Sequence, residues 1–230
     1  MSPRRFRPLT RILRPSPTRR LLTTPSKYPT FSSPSGLSYH IRPARHQDAP
    51  RLCDIFTHYV RNSAVTLDLA PPDLKFHQDA IAAGARDALP VLVAAGKADD
   101  KAGDDDVVIG YRATRFLFPG RVGWSRTVTG STYIDRDYLH RGIGSRLITE
   151  VMRMLRERAA VSHPTVVPEH VDDVEKKLLV QMGWANDERW YRRQGYERVG
   201  RVRNAGWKFG RDWDVVWWQR SVKLGEGEGK

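Results

Sequence analysis

The sequence predicts an α/β sandwich, and three observations carry that reading. Strand-like alternation and helical stripes follow one another in mixed order: one strand, two helices, a run of strands, then helix, strand, helix and two closing strands. Leu52, Ile55, Phe56, Tyr59 and Val60 recur at the spacing of one buried helical face. A glycine-containing turn over residues 135–145 joins a strand to a long amphipathic segment.

Residues 38–42 alternate as a short strand and meet Pro43, which ends it. Gln47 and Asp48 precede a helix over 49–62 that carries the stripe just named; Cys53 lies beside that stripe and reads as a core residue. A second helix is expected over about 74–83, opened by Pro71, Pro72 and Asp73 and ended near Gly84. Residues 90–95 and 107–115 read as strands around a loop with five aspartates. That loop lacks the carboxylate spacing and closing Glu of an EF-hand, so it reads as an exposed hairpin loop and no metal site is expected. Residues 126–134 form the next strand, and 142–160 a long helix with Ile143, Leu147, Ile148, Val151, Met154 and Leu155 on its apolar side. The polar, proline-punctuated stretch 163–173 reads as a surface insertion. A buried strand at 178–182, a short helix at 188–194 and strands at 198–203 and 215–222 complete the chain, with a turn region around Gly206 and Gly210.

At 230 residues the chain is one domain of ordinary size with tails. Apolar residues make up 40% and charged ones 28%, which excludes wholesale disorder. No run approaches the ~18 apolar residues of a membrane span. Cys53 is the single cysteine, so an intramolecular disulfide is impossible. The net charge of +13 suggests nucleic acid until it is located: residues 1–36 hold eight Lys or Arg and no acid. Nucleic-acid binding is therefore not expected of the folded part. In the basic segment Phe6, Leu9 and Leu13 share a helical face among Arg4, Arg7, Arg11 and Arg14, the pattern of a mitochondrial presequence. A disordered basic arm is the alternative. Residues 33–36 read as linker, 37–224 as the folded domain and 225–230 as a disordered tail.

The turn at 135–145 is where chemistry concentrates. A turn that opens a helix exposes backbone N–H groups at the positive end of the helix dipole, which suits a pyrophosphate. Gly142 and Gly144 allow close approach, and His140 and Arg141 add side-chain donors. Neither the P-loop ending nor a full dinucleotide fingerprint is present, so a plain strand-to-helix turn stays open on these residues alone.

In its order with Trp184-Ala185-Asn186 and the segment from Tyr191 to Tyr196, this turn resembles the GNAT superfamily of N-acetyltransferases. Within it, the sequence is similar to the phosphinothricin and methionine sulfoximine N-acetyltransferase branch. The likeness runs from Ile41 to about Val222. It rests on Ile41-Arg42-Pro43-Ala44, His58-Tyr59, Thr127-Val128, Ser131 with Tyr133, Gly142-Ile143-Gly144-Ser145, Asn186-Asp187 and Gly195-Tyr196. Most specific are Gly206-Trp207-Lys208, Gly210, Asp214-Val215 and Trp218-Gln219. The resemblance implies a mostly antiparallel central sheet flanked by helices in three layers. It implies acetyl-CoA as co-substrate, no metal, a small amino-acid-like primary amine as acceptor, and a homodimer. By the same likeness, the backbone of Ile134 pairs with the pantetheine arm. His140, Arg141, Gly142, Ile143, Gly144 and Ser145 hold the pyrophosphate, and Asn186 binds CoA. Tyr191 is placed to protonate the departing thiolate, with a packing role equally open. Lys208, Trp213 and Asp214, together with Trp207, shape the acceptor pocket, or else belong to an aromatic-rich core strand.

Two departures bear on function. The pyrophosphate motif of the family begins with Gln or Arg where this chain has Leu139, which loses one donor. The family's general-base Glu is replaced by Thr129, whose hydroxyl titrates far above neutrality and is a poor proton acceptor. His58, Asp68 and Asp137 are the candidate substitutes. The expected function is acetyl-CoA-dependent N-acetylation by direct transfer; the alternative is a catalytically impaired CoA-binding or interaction module.

Overall fold

The apolar run Val91–Gly96 is buried at every residue, which makes it an interior strand. The structure is a computed structural model that describes residues 28–96, 106–124, 126–161, 177–183 and 188–223. Its strands are β1 (Thr30–Ser32), β2 (Ser38–Pro43), β3 (Val91–Gly96), β4 (Val107–Phe116), β5 (Thr127–Ile134), β6 (Lys177–Gly183), β7 (Glu197–Lys208) and β8 (Arg211–Lys223). The helices are α1 (Ala49–Asn62), α2 (Leu74–Arg86), α3 (Ile143–Val161) and α4 (Glu188–Arg193). The strands form one sheet in the order β1-β2-β3-β4-β5-β6-β8-β7. Among the described residues only β5 and β6 pair in parallel, and the other pairs are antiparallel.

Alternation along the strands feeds two cores. On one face Leu52, Ile55, Phe56 and Val60 of α1 pack on Val93, Val108, Tyr111 and Tyr133. On the other, Ile143, Leu147, Ile148, Val151, Met152 and Leu155 of α3 pack on Ile41, Leu92, Ala94, Ile109 and Val128. Helices thus cover both faces of a mostly antiparallel sheet, the three-layer arrangement expected. Arg42 and Asp48, both buried, tie β2 to the start of α1 through two hydrogen bonds of 2.7 and 2.8 Å.

Several boundaries differ from expectation. The sheet starts at Thr30 rather than after Gly36, because Phe31 packs on Tyr39 at 5.9 Å and carries Arg146 over its ring at 4.7 Å. Residues 33–36 are therefore the turn between β1 and β2 rather than a linker, closed by Gly36 N–H to Ser33 O at 3.0 Å. Helix α2 runs past Gly84 to Arg86. Gly84 serves close packing instead of termination, since a Cβ there would stand 2.6 Å from Val91 Cγ2. Met152, not Met154, takes the fully buried place on α3; Met154 packs at the margin. β7 and β8 form a long hairpin through Phe209 and Gly210, both left-handed, with Gly206 inside a bulged strand. Residues 1–27, the aspartate loop at 97–105, the stretch 163–173, Asn186 and the tail 225–230 lie outside the described residues. No helix among the described residues is long and apolar enough to cross a membrane.

Candidate functional site

β5 and β6 are partners over a short distance only: Thr127, Val128 and Thr129 pair with Leu179, Val180 and Gln181, and there the pairing stops. The register with β4 fixes what the rest of β5 presents. Asp135 N–H donates to Ile109 O at 2.9 Å and Leu117 N–H to Thr127 O at 3.1 Å, so the odd-numbered residues bond to β4. Gly130, Thr132 and Ile134 therefore turn their N–H and C=O groups toward the open side. Tyr59 of α1 reaches this edge and donates its hydroxyl to Ile134 O at 2.6 Å.

The strand then enters the turn. The Asp135 carboxylate accepts Asp137 N–H at 2.9 Å and pairs with Arg51. His140 and Gly142 both take left-handed conformations, φ 61° and 78°. The α3 ladder begins with Arg146 N–H to Gly142 O at 3.1 Å, so the N–H groups of Ile143, Gly144 and Ser145 precede it and point out of the helix end. A Cβ on Gly142 would meet no atom within 4 Å, whereas one on Gly144 would stand 3.5 Å from Trp190 and 3.8 Å from Thr132 Cγ2. Together these residues line a cleft of about 650 Å³ whose further walls are Tyr59, Ile134, Trp190 and Tyr191. Its size is that of a cofactor-sized ligand site. A hydrogen-bonding strand edge leading to a positive helix end is the donor set that an amide-bearing arm with a pyrophosphate requires.

The structure brings most of the expected cofactor residues to this cleft: Ile134, His140, Arg141, Gly142, Ile143, Gly144 and Ser145 all line it. Their means differ. The Ile143 side chain is 1% exposed and belongs to the core, leaving its N–H as what it offers. Ser145 Oγ accepts Gln194 Nε2–H at 3.0 Å, which ties the end of α4 to the start of α3. Arg141 donates to Asp137 O at 3.2 Å and lies 5.2 Å over the Tyr138 ring, braced within the turn. Leu139 is exposed at the mouth.

Tyr191 is buried on α4 and stacks on Trp218, with ring centroids 5.5 Å apart. Burial pushes its phenol up to about 12, against the pull of Arg112, so it stays protonated at neutral pH and has a proton to give. Thr129 lies elsewhere. Its side chain shares a strand face with Ser131 and Tyr133, the face covered by α1 and α2, while Thr132 and Ile134 face α3. The acceptor-pocket candidates separate as well. Lys208 is buried at the end of β7 and donates to Thr66 O at 2.8 Å; burial lowers its pKa, and Asp68 opposes that. Asp68 also bears on Tyr133, whose phenol burial raises well above its ordinary value. Trp213 instead donates to Lys208 O at 2.8 Å beneath Arg211, and Asp214 pairs with Arg201 and accepts Asn204 N–H at 2.8 Å. Both are engaged within the hairpin. His58 and Asp137 line a separate, smaller pocket with Arg51 and Asp135.

Sequence reading missed the roles of Tyr59, Thr132, Trp190 and Gln194. Tyr59 sits on the stripe read as core and in the His58-Tyr59 stretch of the family likeness, and the signal for its role was a hydroxyl at the stripe's end that needs a partner.

No protein-family model matches the chain. It is 30% identical over 186 residues to an L-methionine sulfoximine/L-methionine sulfone acetyltransferase of Pseudomonas paraeruginosa, covering 81% of this chain and 96% of that protein. It is 25% identical over 195 residues to a phosphinothricin N-acetyltransferase of Streptomyces coelicolor, covering 82% of this chain and 99% of the other. Among solved structures, a GNAT superfamily phosphinothricin acetyltransferase from Sinorhizobium meliloti in complex with AcCoA superposes with a TM-score of 0.64 at 19% identity. That superposition covers 80% of this chain and 89% of the other, and shows the same fold.

Proposed function

Because this chain belongs to the phosphinothricin and methionine sulfoximine N-acetyltransferase branch of the GNAT superfamily, we propose that it transfers the acetyl group of acetyl-CoA directly to the primary amine of a small amino-acid-like substrate. The observation that carries this reading is the cleft where β5 and β6 part. There an open strand edge, the N-terminus of α3 and a protonated buried phenol meet.

In this reading the N–H groups of Ile143, Gly144 and Ser145, with His140 and Arg141, hold the pyrophosphate. The outward backbone groups of Thr132 and Ile134 pair with the pantetheine amides, and Tyr59 keeps the Ile134 carbonyl oriented. Acetyl-CoA supplies an activated thioester. The amine approaches from the α1/α2 face, and Asp68, near Tyr133 and Lys208, takes the ammonium proton in place of the Glu that Thr129 displaces. Tyr191 donates a proton to the departing sulfur from the other side. Catalysis then rests on positioning and proton placement, without a covalent enzyme intermediate.

Two further readings belong to this proposal. The exposed Val202, Trp207 and Phe209 of the β7–β8 hairpin suit a homodimer contact. The arginine-rich segment ahead of β1 suits a mitochondrial presequence, tested by fusing it to a reporter and imaging the reporter. The main reading is tested by titrating acetyl-CoA into the full chain and then assaying thiol release with a panel of amino acids and analogues. Saturable binding with amine-dependent release supports it. Binding without release from any amine would favour a CoA-binding module, and no binding would overturn it.

A further inference from the structure

β4 carries an arginine where an interior strand calls for an apolar side chain. Arg112 is 0% exposed and lies between β3 and β5. Its Nη1 donates to Thr132 Oγ1 at 2.8 Å. The space for its head is made at Gly130, where a Cβ would stand 2.8 Å from Nη2 and 3.1 Å from Cζ of Arg112. By strand alternation Arg112, Gly130 and Thr132 share the face that carries α3 and Tyr191. A guanidinium does not shed its charge at any ordinary pH, so the charge itself is buried there. Its charge acts on both Tyr191 and Tyr196, whose rings meet edge to face 5.8 Å apart.

We infer that Arg112 is a positioning residue for the transfer step: held by Thr132 and by the room at Gly130, its fixed positive charge favours the phenolate that Tyr191 becomes on giving up its proton. The inference rests on the proposed acetyl transfer. In that step the amine lone pair forms the N–C bond and the C–S electron pair leaves on sulfur. The Tyr191 O–H proton passes to sulfur, and the surplus amide proton, taken up by base and solvent, later restores the phenol. Burial holds Tyr191 at about 12, above the ~8.5 of an ordinary alkyl thiol, so this donation runs uphill. A cation beside the phenol narrows the gap. Thr132 couples the two halves of the device, because its side chain binds Arg112 while its backbone faces the cleft.

The test uses the full chain with Arg112→Met, Arg112→Lys and Gly130→Ala, each made with Tyr191 intact and with Tyr191→Phe. Arg112→Met should bind acetyl-CoA within about threefold of the parent while kcat falls about ten- to a hundredfold. Arg112→Lys should recover much of that loss, and Gly130→Ala, which displaces the guanidinium but keeps the charge, should lose less. With Tyr191→Phe the same changes should cost under about twofold, because the charge has no phenolate to serve. A difluorotyrosine placed at 191 should titrate about one unit higher in Arg112→Met, read by absorbance and independent of turnover. Equal losses in both backgrounds, or an unshifted titration, would overturn the inference. If Arg112→Met does not fold, Gly130→Ala decides by the same two readouts. Should the parent acetylate no amine, the proposed function fails, while the titration still reports whether Arg112 acts on Tyr191.

Discussion

The Tyr59 hydroxyl on α1 donates to the Ile134 carbonyl on β5 at 2.6 Å, across the mouth of the cleft where β5 and β6 part. A helix on one face of the sheet thereby fixes a backbone group that an incoming ligand would use. Tyr59→Phe removes a bond of the fold itself, so it is expected to lower stability by the ~1 kcal/mol of a neutral hydrogen bond. With the Ile134 carbonyl no longer held, acetyl-CoA binding should weaken as well, by up to about fivefold. Calorimetric titration checks it; unchanged affinity would detach Tyr59 from the site.

Gly144 faces Trp190, Thr132 and Ile134 at ordinary contact distance for a Cβ, so the methyl groups of a valine would project into the cleft. Gly144→Val should reduce acetyl-CoA affinity by about a hundredfold or more while circular dichroism reports a folded chain. Gly142 differs, since a Cβ there touches nothing and the φ of 78° carries the penalty. Gly142→Ala should cost about 1–2 kcal/mol of local strain at the turn, seen as a lowered melting temperature.

Asp48 gives a pH prediction with a definite sign. Burial raises its carboxyl, but the hydrogen bonds from Arg42 and from Arg45 N–H outweigh it and hold the pKa below 3.8. A depressed folded pKa contributes stability that is present above the unfolded value and lost as pH falls through the folded one. Chemical denaturation followed from pH 6 down should show stability dropping below about pH 4, and Asp48→Asn should flatten that drop. The variant leaves buried Arg42 without its counter-charge, at a cost of about 3–5 kcal/mol.

The proton acceptor is tested by substitutions on the side of the sheet covered by α1 and α2, at Asp68 between those helices and at Thr129 on β5. Asp68→Asn should lower kcat about a hundredfold with acetyl-CoA affinity intact, the scale of general-base assistance. Thr129→Glu should restore part of that loss in the Asp68→Asn background, with a rate that rises as the new carboxyl ionises. Full activity in Asp68→Asn would assign the proton to another group.

Much of the fold and part of the site were legible in the sequence, for identifiable reasons. The stripe from Leu52 to Val60 and the turn from Asp135 to Ser145 are local patterns, and local geometry decides both. Thr30–Ser32 was not legible, because three residues in a Ser- and Pro-rich stretch become a strand only when Phe31 finds Tyr39 and Arg146. Nothing in the sequence marks Arg112 within the strand it sits on. That α3 and α4 cover its face, and that Gly130 leaves room for it, are long-range facts. The same limit hid the separation of Thr129 from Tyr191: strand parity is readable, but which helix covers which face is a matter of tertiary structure.

The proposed transfer requires this cleft to bring an acetyl thioester and a small amine together. The most direct measurement is the initial rate of CoA thiol release by the full chain as acetyl-CoA and an amino-acid amine are varied independently. Direct transfer in the cleft should give a rate that saturates in both, is absent without amine, and collapses in Gly144→Val through loss of acetyl-CoA binding. Thiol release that ignores the amine, or that survives undiminished in Gly144→Val, would contradict it.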